Sequence, residues 1–376
     1  MKRIYFWSPH IDPQVATLKS VYNSINSLIK YGKKFKPTLI NVFGEWDKHN
    51  FEETNKIDLI LSRNLIKRKF KGFFNSRLLY IFIFLLSYFP LKKILKKRQP
   101  EYLIIHLITS VPILLFIFNN FRTKLILRIS GLPKLNFLRF ILWKIVSNKI
   151  EHVVCPTEET KNYLLKKKIF KDHQLVFIPD PIIQIKKINI LKRESLYFKN
   201  SKPYFLSVGR FTKQKNHIFL LNFFAENLHY LNNYELLIIG AGEMKKSYEK
   251  IIKNKKLEDK VKMLDYKKNV INYIHNAKCI ISSSLWEDPG FIMVEAASVG
   301  TPIISSNCPS GPKEFIDNNK NGFIYESSNA KSFKIQLDNF LNISNVELMK
   351  KLKNAKKKSR LYTSYYNYRQ LSYLLI

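Results

Sequence analysis

The sequence predicts an α/β protein of two doubly wound domains facing a cleft, and three observations predict it. Short apolar runs alternate with helical stretches along most of the chain. The runs are continuous rather than alternating in polarity, as in strands of a parallel sheet covered on both faces. The length, 376 residues, suits two domains of ordinary size, each able to bury its own core.

The first half supplies strands at Ile4–Trp7, Thr38–Val42, Leu59–Leu61, Tyr102–His106, Leu125–Ile129, His152–Val154 and Val176–Ile178, with a helix from about Gln14 to Tyr31. Polar, lysine-rich residues 186–200 read as a linker, which makes 1–185 an N-terminal domain. A second alternating set follows in 201–355, with strands Tyr204–Val208, Glu235–Ile239, Val261–Met263, Cys279–Ser282, Pro302–Ser305 and Gly322–Ile324. Residues Val346–Ile376 read as helical and end in tyrosine-rich sequence.

Charge is the dominant feature of composition. A net charge of +36 points to anionic partners: nucleotides, nucleic acid or an anionic membrane surface. Residues 1–200 hold 37 basic and 13 acidic side chains and residues 201–376 hold 27 and 15, so the excess sits in the first half. Cys155, Cys279 and Cys308 are odd in number and widely spaced, which signals neither a disulfide framework nor a zinc site and suits a reducing cytoplasm. The first apolar run is too short for a signal peptide. The longest one, such as Leu78 to Leu86, falls well short of the roughly 20 residues of a spanning helix, so no transmembrane segment is expected.

The stretch Ser283–Pro302 is the most pointed chemically. Glu287 and Glu295 flank a Pro-Gly turn with seven residues between them, one in the loop after the strand Cys279–Ser284 and one in a helix stopped by Gly300 and Pro302. A carboxylate suits vicinal hydroxyls because its two oxygens accept hydrogen bonds side by side. The bland alternative is a pair of helix-start acids favoured by the macrodipole. Upstream, Gly209-Arg-Phe-Thr-Lys-Gln-Lys-Asn216 leaves a strand and enters a helix, where backbone N–H groups favour an anion and Arg210 and Lys215 add charge. No Asp-X-Asp occurs, so a metal-bridged phosphate site is not signalled and no metal or cofactor is expected. The turn Gly240-Ala-Gly242 lacks the third glycine of a dinucleotide fingerprint and reads as a tight turn.

Together with Ser310-Gly-Pro-Lys-Glu-Phe-Ile316 and Asn321-Gly-Phe-Ile324, these motifs resemble, from about Pro203 to Phe340, the nucleotide-binding half of retaining glycosyltransferases of the GT-B fold, family 4 or group 1. The resemblance implies two Rossmann-like domains and transfer of a sugar from a nucleotide-sugar, a UDP-sugar, with the anomeric configuration kept. It implies that Arg210 and Lys215 hold the diphosphate and Glu295 the ribose, with Gly209 also in the donor-binding set. Glu287, with the backbone of Gly290, Phe291 and Ile292, would hold donor sugar and phosphate, and the catalytic set is Glu287, Arg210 and Lys215. A terminal helix, 356–376, is expected to cross back to the first domain. Glu314 reads as a helix-start acid.

In the first domain the candidates for acceptor or sugar are His10 and Asp12, in the loop after the first strand, and Arg128 and Ser130. Relatives often carry a His-Gly pair where this chain has Ser130-Gly131. Arg128 or Ser130 would then stand in for that histidine, or serve a strand-end structural role. The expected activity is hexosyl transfer to a glycan or lipid-linked acceptor in cell-surface polysaccharide or lipopolysaccharide synthesis. The alternatives are a non-catalytic nucleotide-sugar- or membrane-binding subunit, or a basic nucleic-acid-binding protein; no zinc-finger or RNP-type pattern supports the last, and no nucleic acid partner is expected. Residues 59–100 carry eleven basic and no acidic side chains around the run Leu78–Phe89, which fits an interfacial helix on the inner face of the cell membrane, with a core helix as the alternative.

Overall fold

A computed structural model describes residues 1–10, 17–49, 55–59, 73–196 and 202–376. Contacts divide the chain into two units, Met1–Pro181 with Ser364–Ile376, and Ile182–Thr363.

The first unit is a seven-stranded parallel sheet in the order β3-β2-β1-β4-β5-β6-β7. The strands are β1 (Lys2–Trp7), β2 (Phe35–Asn41), β3 (Lys56–Asp58), β4 (Tyr102–Ile105), β5 (Lys124–Arg128), β6 (Ile150–Cys155) and β7 (Leu175–Phe177). The edge strand β3 ends at Asp58, ahead of the expected Leu59–Leu61, and residues 60 and 61 lie outside the described residues. Helix α1 (Thr17–Tyr31) repeats Leu18, Val21, Ile25 and Leu28 at three- and four-residue spacing, so one stripe is buried on the sheet. The expected start near Gln14 also lies outside the described residues.

Among the described residues four more helices follow in this part of the chain: α2 (Phe73–Arg98), α3 (Ser110–Phe118), α4 (Phe137–Val146) and α5 (Glu158–Lys166). Asn136 caps α4 by accepting from the Arg139 N–H at 2.9 Å, and Thr157 caps α5 by accepting from the Thr160 N–H at 3.1 Å. The connections β3 to β4, β4 to β5 and β5 to β6 all step the same way across the sheet, while β1 to β2 steps the other way. Right-handed crossovers therefore put α2, α3 and α4 on one face and α1 on the opposite face. The two cores agree: Ile83, Leu91, Val111, Phe116 and Trp143 share one cluster, whereas Leu18, Val21 and Ile25 share another.

The second unit begins with α6 (Ile185–Leu191), whose Ile188 is buried with Tyr204 and Ile239. The stretch 186–200, expected as a linker, thus starts as a packed helix, and the seam falls earlier, at Pro181. Counting lysines misplaced it because α6 needs only one buried isoleucine while its lysines stay solvated. Six parallel strands follow in the order β10-β9-β8-β11-β12-β13: β8 (Tyr204–Val208), β9 (Glu235–Ile239), β10 (Val261–Leu264), β11 (Cys279–Ser282), β12 (Ile303–Ser306) and β13 (Phe323–Tyr325). Their helices are α7 (His217–Glu226), α8 (Lys245–Asn254), α9 (Ile271–Asn276), α10 (Phe291–Val299), α11 (Gly311–Ile316), α12 (Ala330–Leu341) and α13 (Asn345–Ser359). Gly300 ends α10 at φ +83°, a left-handed conformation that costs glycine little.

The terminal helical segment is two helices, broken by a 3-10 turn at Arg360–Tyr362. The second, α14 (Ser364–Leu374), groups with the first unit. There Leu371 and Leu375 join the core beneath α1, and the Ser24 hydroxyl donates to Asn367 Oδ1 at 3.0 Å.

Candidate functional site

Ligands of doubly wound sheets bind outside the carboxyl ends of the strands, where strand order reverses. In the second unit that point lies between β8 and β11. Both glutamate- and lysine-bearing loops leave these two strands.

The loop after β8 is held against the turn after β9. A Cβ built on Gly240 would sit 1.9 Å from the Gly209 carbonyl oxygen, so only glycine allows the two turns to touch. A Cβ on Gly209 would meet the Lys215 stem at 2.9 Å. The bare Gly209 backbone is thus the bed on which Lys215 lies, and Lys215 reaches Glu287 Oε1 as an ion pair.

Glu287 is placed from several sides. The Ser284 hydroxyl donates to the same Oε1 at 2.7 Å. Its N–H donates to the Pro309 carbonyl at 2.7 Å, and its carbonyl accepts from Ser310 N–H at 2.7 Å and Gly311 N–H at 3.1 Å. Gly311 is needed at this contact, since a Cβ there would lie 2.2 Å from the Pro289 oxygen. Three residues on, Gly290 at φ +82° turns the chain into α10, whose first amides have no intrahelical acceptor. Phe291 and Ile292 open that helix, and half-buried Glu295 stands in its second turn.

Two residues not singled out in the sequence tie the loops together. Gln214 Nε2 donates to the Trp286 carbonyl at 2.8 Å, its carbonyl accepts from Leu285 N–H at 2.8 Å, and its Oε1 accepts from exposed Arg210 at 3.3 Å. Ser283 Oγ donates to the Lys215 carbonyl at 2.9 Å. Both lie inside the quoted motifs, yet a glutamine or serine acting on backbone from a distant loop leaves no periodic signal. Arg210 is braced through Gln214 and is not brought onto Glu287. Glu314 lies in α11, as its helix-start placement suggested.

Below the loop, His217 is buried edge-on against Phe211 and Tyr248. Burial first, then the Lys215 charge, pushes its pKa down to about 3 from 6.5. The unfolded chain therefore binds a proton between these values that the folded chain refuses. Stability is complete above about pH 6.5 and is lost on acidification towards pH 3, at about 1.4 kcal/mol per pH unit. Between pH 6.5 and 5 that amounts to about 2 kcal/mol. A His217→Phe variant should show a thermal midpoint that falls less over this interval; an unchanged slope would remove His217 as the cause.

In the first unit the equivalent switch point lies between β1 and β4. His10 follows β1, buried with its ring edge-on to Trp46 at 4.8 Å between centroids. Asp12 lies outside the described residues. Arg128 corrects the expectation of a sugar or acceptor contact: its guanidinium is buried, paired with Asp180 at 2.5 Å and donating to Ser24 Oγ at 2.8 Å. A cation 4% exposed must be neutralised by protein, which commits Arg128 to the structural role that was its alternative. Ser130 sits 3.0 Å from His106 Nε2. His106, last residue of the expected strand Tyr102–His106, is buried at the end of β4 with its pKa held well below 6.5 by burial and then by Arg128. A histidine directly after a buried strand was the signal; Ser130 does not stand without one. Glu45, after β2, was also missed: burial raises its pKa to about 7 although Val42 and Phe43 N–H groups donate to it.

Residues 189–359 match the family described as Glycosyl transferases group 1. An uncharacterised glycosyltransferase of Methanocaldococcus jannaschii is 26% identical over 325 residues, 81% of this chain and 76% of that protein. The UDP-Gal:alpha-D-GlcNAc-diphosphoundecaprenol alpha-1,3-galactosyltransferase of Escherichia coli is 27% identical over 54% of this chain and 56% of its own length. The solved structure of sucrose-phosphate synthase from Thermosynechococcus elongatus superposes with a TM-score of 0.79, at 17% identity, over 100% of this chain and 98% of that one. The chain thus has the GT-B fold, and its residues 189–359 are similar to the glycosyl transferases group 1.

Proposed function

We propose that the protein is a retaining glycosyltransferase that moves a hexosyl group from a UDP-sugar to a glycan or lipid-linked acceptor in cell-surface polysaccharide or lipopolysaccharide synthesis. It would act as a peripheral protein on the cytoplasmic face of the cell membrane. The observation that carries the donor half is the joining of the loops after β8 and β11, through Lys215, Glu287, Ser284 and Gln214, at the point where strand order reverses. The name of the Escherichia coli relative, a UDP-galactose-dependent enzyme acting on a diphosphoundecaprenol acceptor, supports the donor base and acceptor class.

Arg210, Lys215 and the first amides of α10, at Gly290, Phe291 and Ile292, supply positive charge where the diphosphate becomes a leaving group. Glu287 accepts from donor-sugar hydroxyls, and Glu295 from the ribose. The bond from the anomeric carbon to the diphosphate oxygen breaks as the bond to the acceptor oxygen forms on the same face, and the acceptor proton passes to the departing phosphate oxygen. That route needs no side-chain nucleophile.

Calorimetry with UDP, GDP and ADP tests the donor, since a ligand of the native state raises its stability with concentration. UDP should bind at least tenfold more tightly than the others; equal binding would overturn the assignment of the base. Proton NMR of the first-formed product should show the donor's anomeric configuration, and the opposite configuration would exclude retention.

A further inference from the structure

Helices α2 and α4 are apolar on the side away from the sheet as well as on the side towards it. Facing the sheet, Ile83, Leu91 and Leu95 of α2 and Trp143 and Val146 of α4 are buried in one core. On the outside, Phe82, Leu85 and Phe89 of α2 and Phe137, Leu138 and Ile145 of α4 are each 50–77% exposed. At about 100° per residue each trio falls within a stripe about 100° wide, so neither set is scattered. A helix apolar on both sides lacks a second apolar partner when it covers only one sheet.

The two outer faces point the same way. Both helices pack against α3 on one face of the seven-stranded sheet, where the common direction of the crossovers puts them. The end of α3 adds Phe118, 72% exposed. The partner's chemistry is set by charge: residues 59–150 contain 18 basic side chains and one acidic one, Glu101. Lys93, Lys96, Lys97 and Arg98 are exposed at the end of α2, and Arg139 and Lys144 are exposed on α4. Apolar side chains ringed by cations fit a surface that is apolar within and anionic at its face.

We infer that α2 and α4 form a single docking platform for an anionic lipid bilayer, with Phe137, Leu138 and Ile145 entering the acyl region beside Phe82, Leu85 and Phe89. It deepens the acceptor half of the proposed function, because it names the surface that would bring the enzyme to a lipid-linked substrate. Co-sedimentation of the full chain with phosphatidylglycerol–phosphatidylcholine vesicles tests it. Binding should be at least tenfold stronger than to phosphatidylcholine alone. Phe137→Ser with Leu138→Ser, and separately Leu85→Ser with Phe89→Ser, should each weaken it about tenfold or more, and Phe137→Trp should give a blue-shifted emission on binding. Equal binding to both lipids, full binding by the α4 pair, or a self-association that the serine pairs abolish without vesicle binding would each overturn the platform. UDP-induced thermal stabilisation without vesicles, measured on the same variants, reports the donor half separately and should be unchanged.

Discussion

Replacing Glu287 by glutamine is expected to lower transfer at least a hundredfold, about 3 kcal/mol in barrier, while the protein stays folded. The loop around Glu287 is held by its main chain, through Pro309, Ser310 and Gly311, and these bonds do not require the carboxylate. What glutamine removes is the charge that Lys215 pairs with and that donor hydroxyls would meet. Leaving the half-buried Lys215 ammonium without its partner should cost about 1–3 kcal/mol of stability, visible as a lower midpoint on heating. Lys215→Met should weaken donor binding, and the double variant should lose less than the two single losses combined, because the residues act as a pair. Ser284→Ala, which removes one donor to Glu287 Oε1 and no charge, should cost about tenfold. Parental turnover in folded Glu287→Gln would sink the assignment of the site.

The second large effect is on stability. Arg128→Met should destabilise the first unit by about 3–5 kcal/mol, because Asp180, itself 1% exposed, would keep a buried charge without its cation. Arg128→Met combined with Asp180→Leu should recover most of that loss, since two apolar side chains need no neutralising partner. Urea unfolding of the single and double variants measures both. A double variant no more stable than Arg128→Met would mean that the hydroxyl contacts of Ser20 and Ser24, rather than the ion pair, anchor the guanidinium.

The placement of Arg128 also marks where reading from residue types stops. An arginine at the end of an apolar strand can face ligand or be sealed into the protein, and the choice depends on Asp180, 52 positions later. The same holds for Ser130: its partner His106 was in view as the end of a strand, but only the pairing of β4 with β5 brings the two within 3.0 Å.

Locally encoded features were legible because their causes are local. Continuous apolar runs such as Tyr204–Leu206 and Leu236–Ile239 specify buried parallel strands by their own composition, and Gly290 and Gly300 mark the ends of α10 by the φ angles that only glycine adopts cheaply. The motif at Ser283–Pro302 likewise pointed to Glu287, whose contacts with Lys215 and Ser284 the structure contains. Other facts belong to strand order and crossover hand. These join Lys215 to Glu287 across 72 positions, assign α14 to the first unit rather than to the residues preceding it, and turn the outer faces of α2 and α4 to the same side. Side-chain periodicity shows that a helix has an apolar face, but pairing between distant strands decides what that face meets, and for Phe137, Leu138 and Ile145 it leaves solvent.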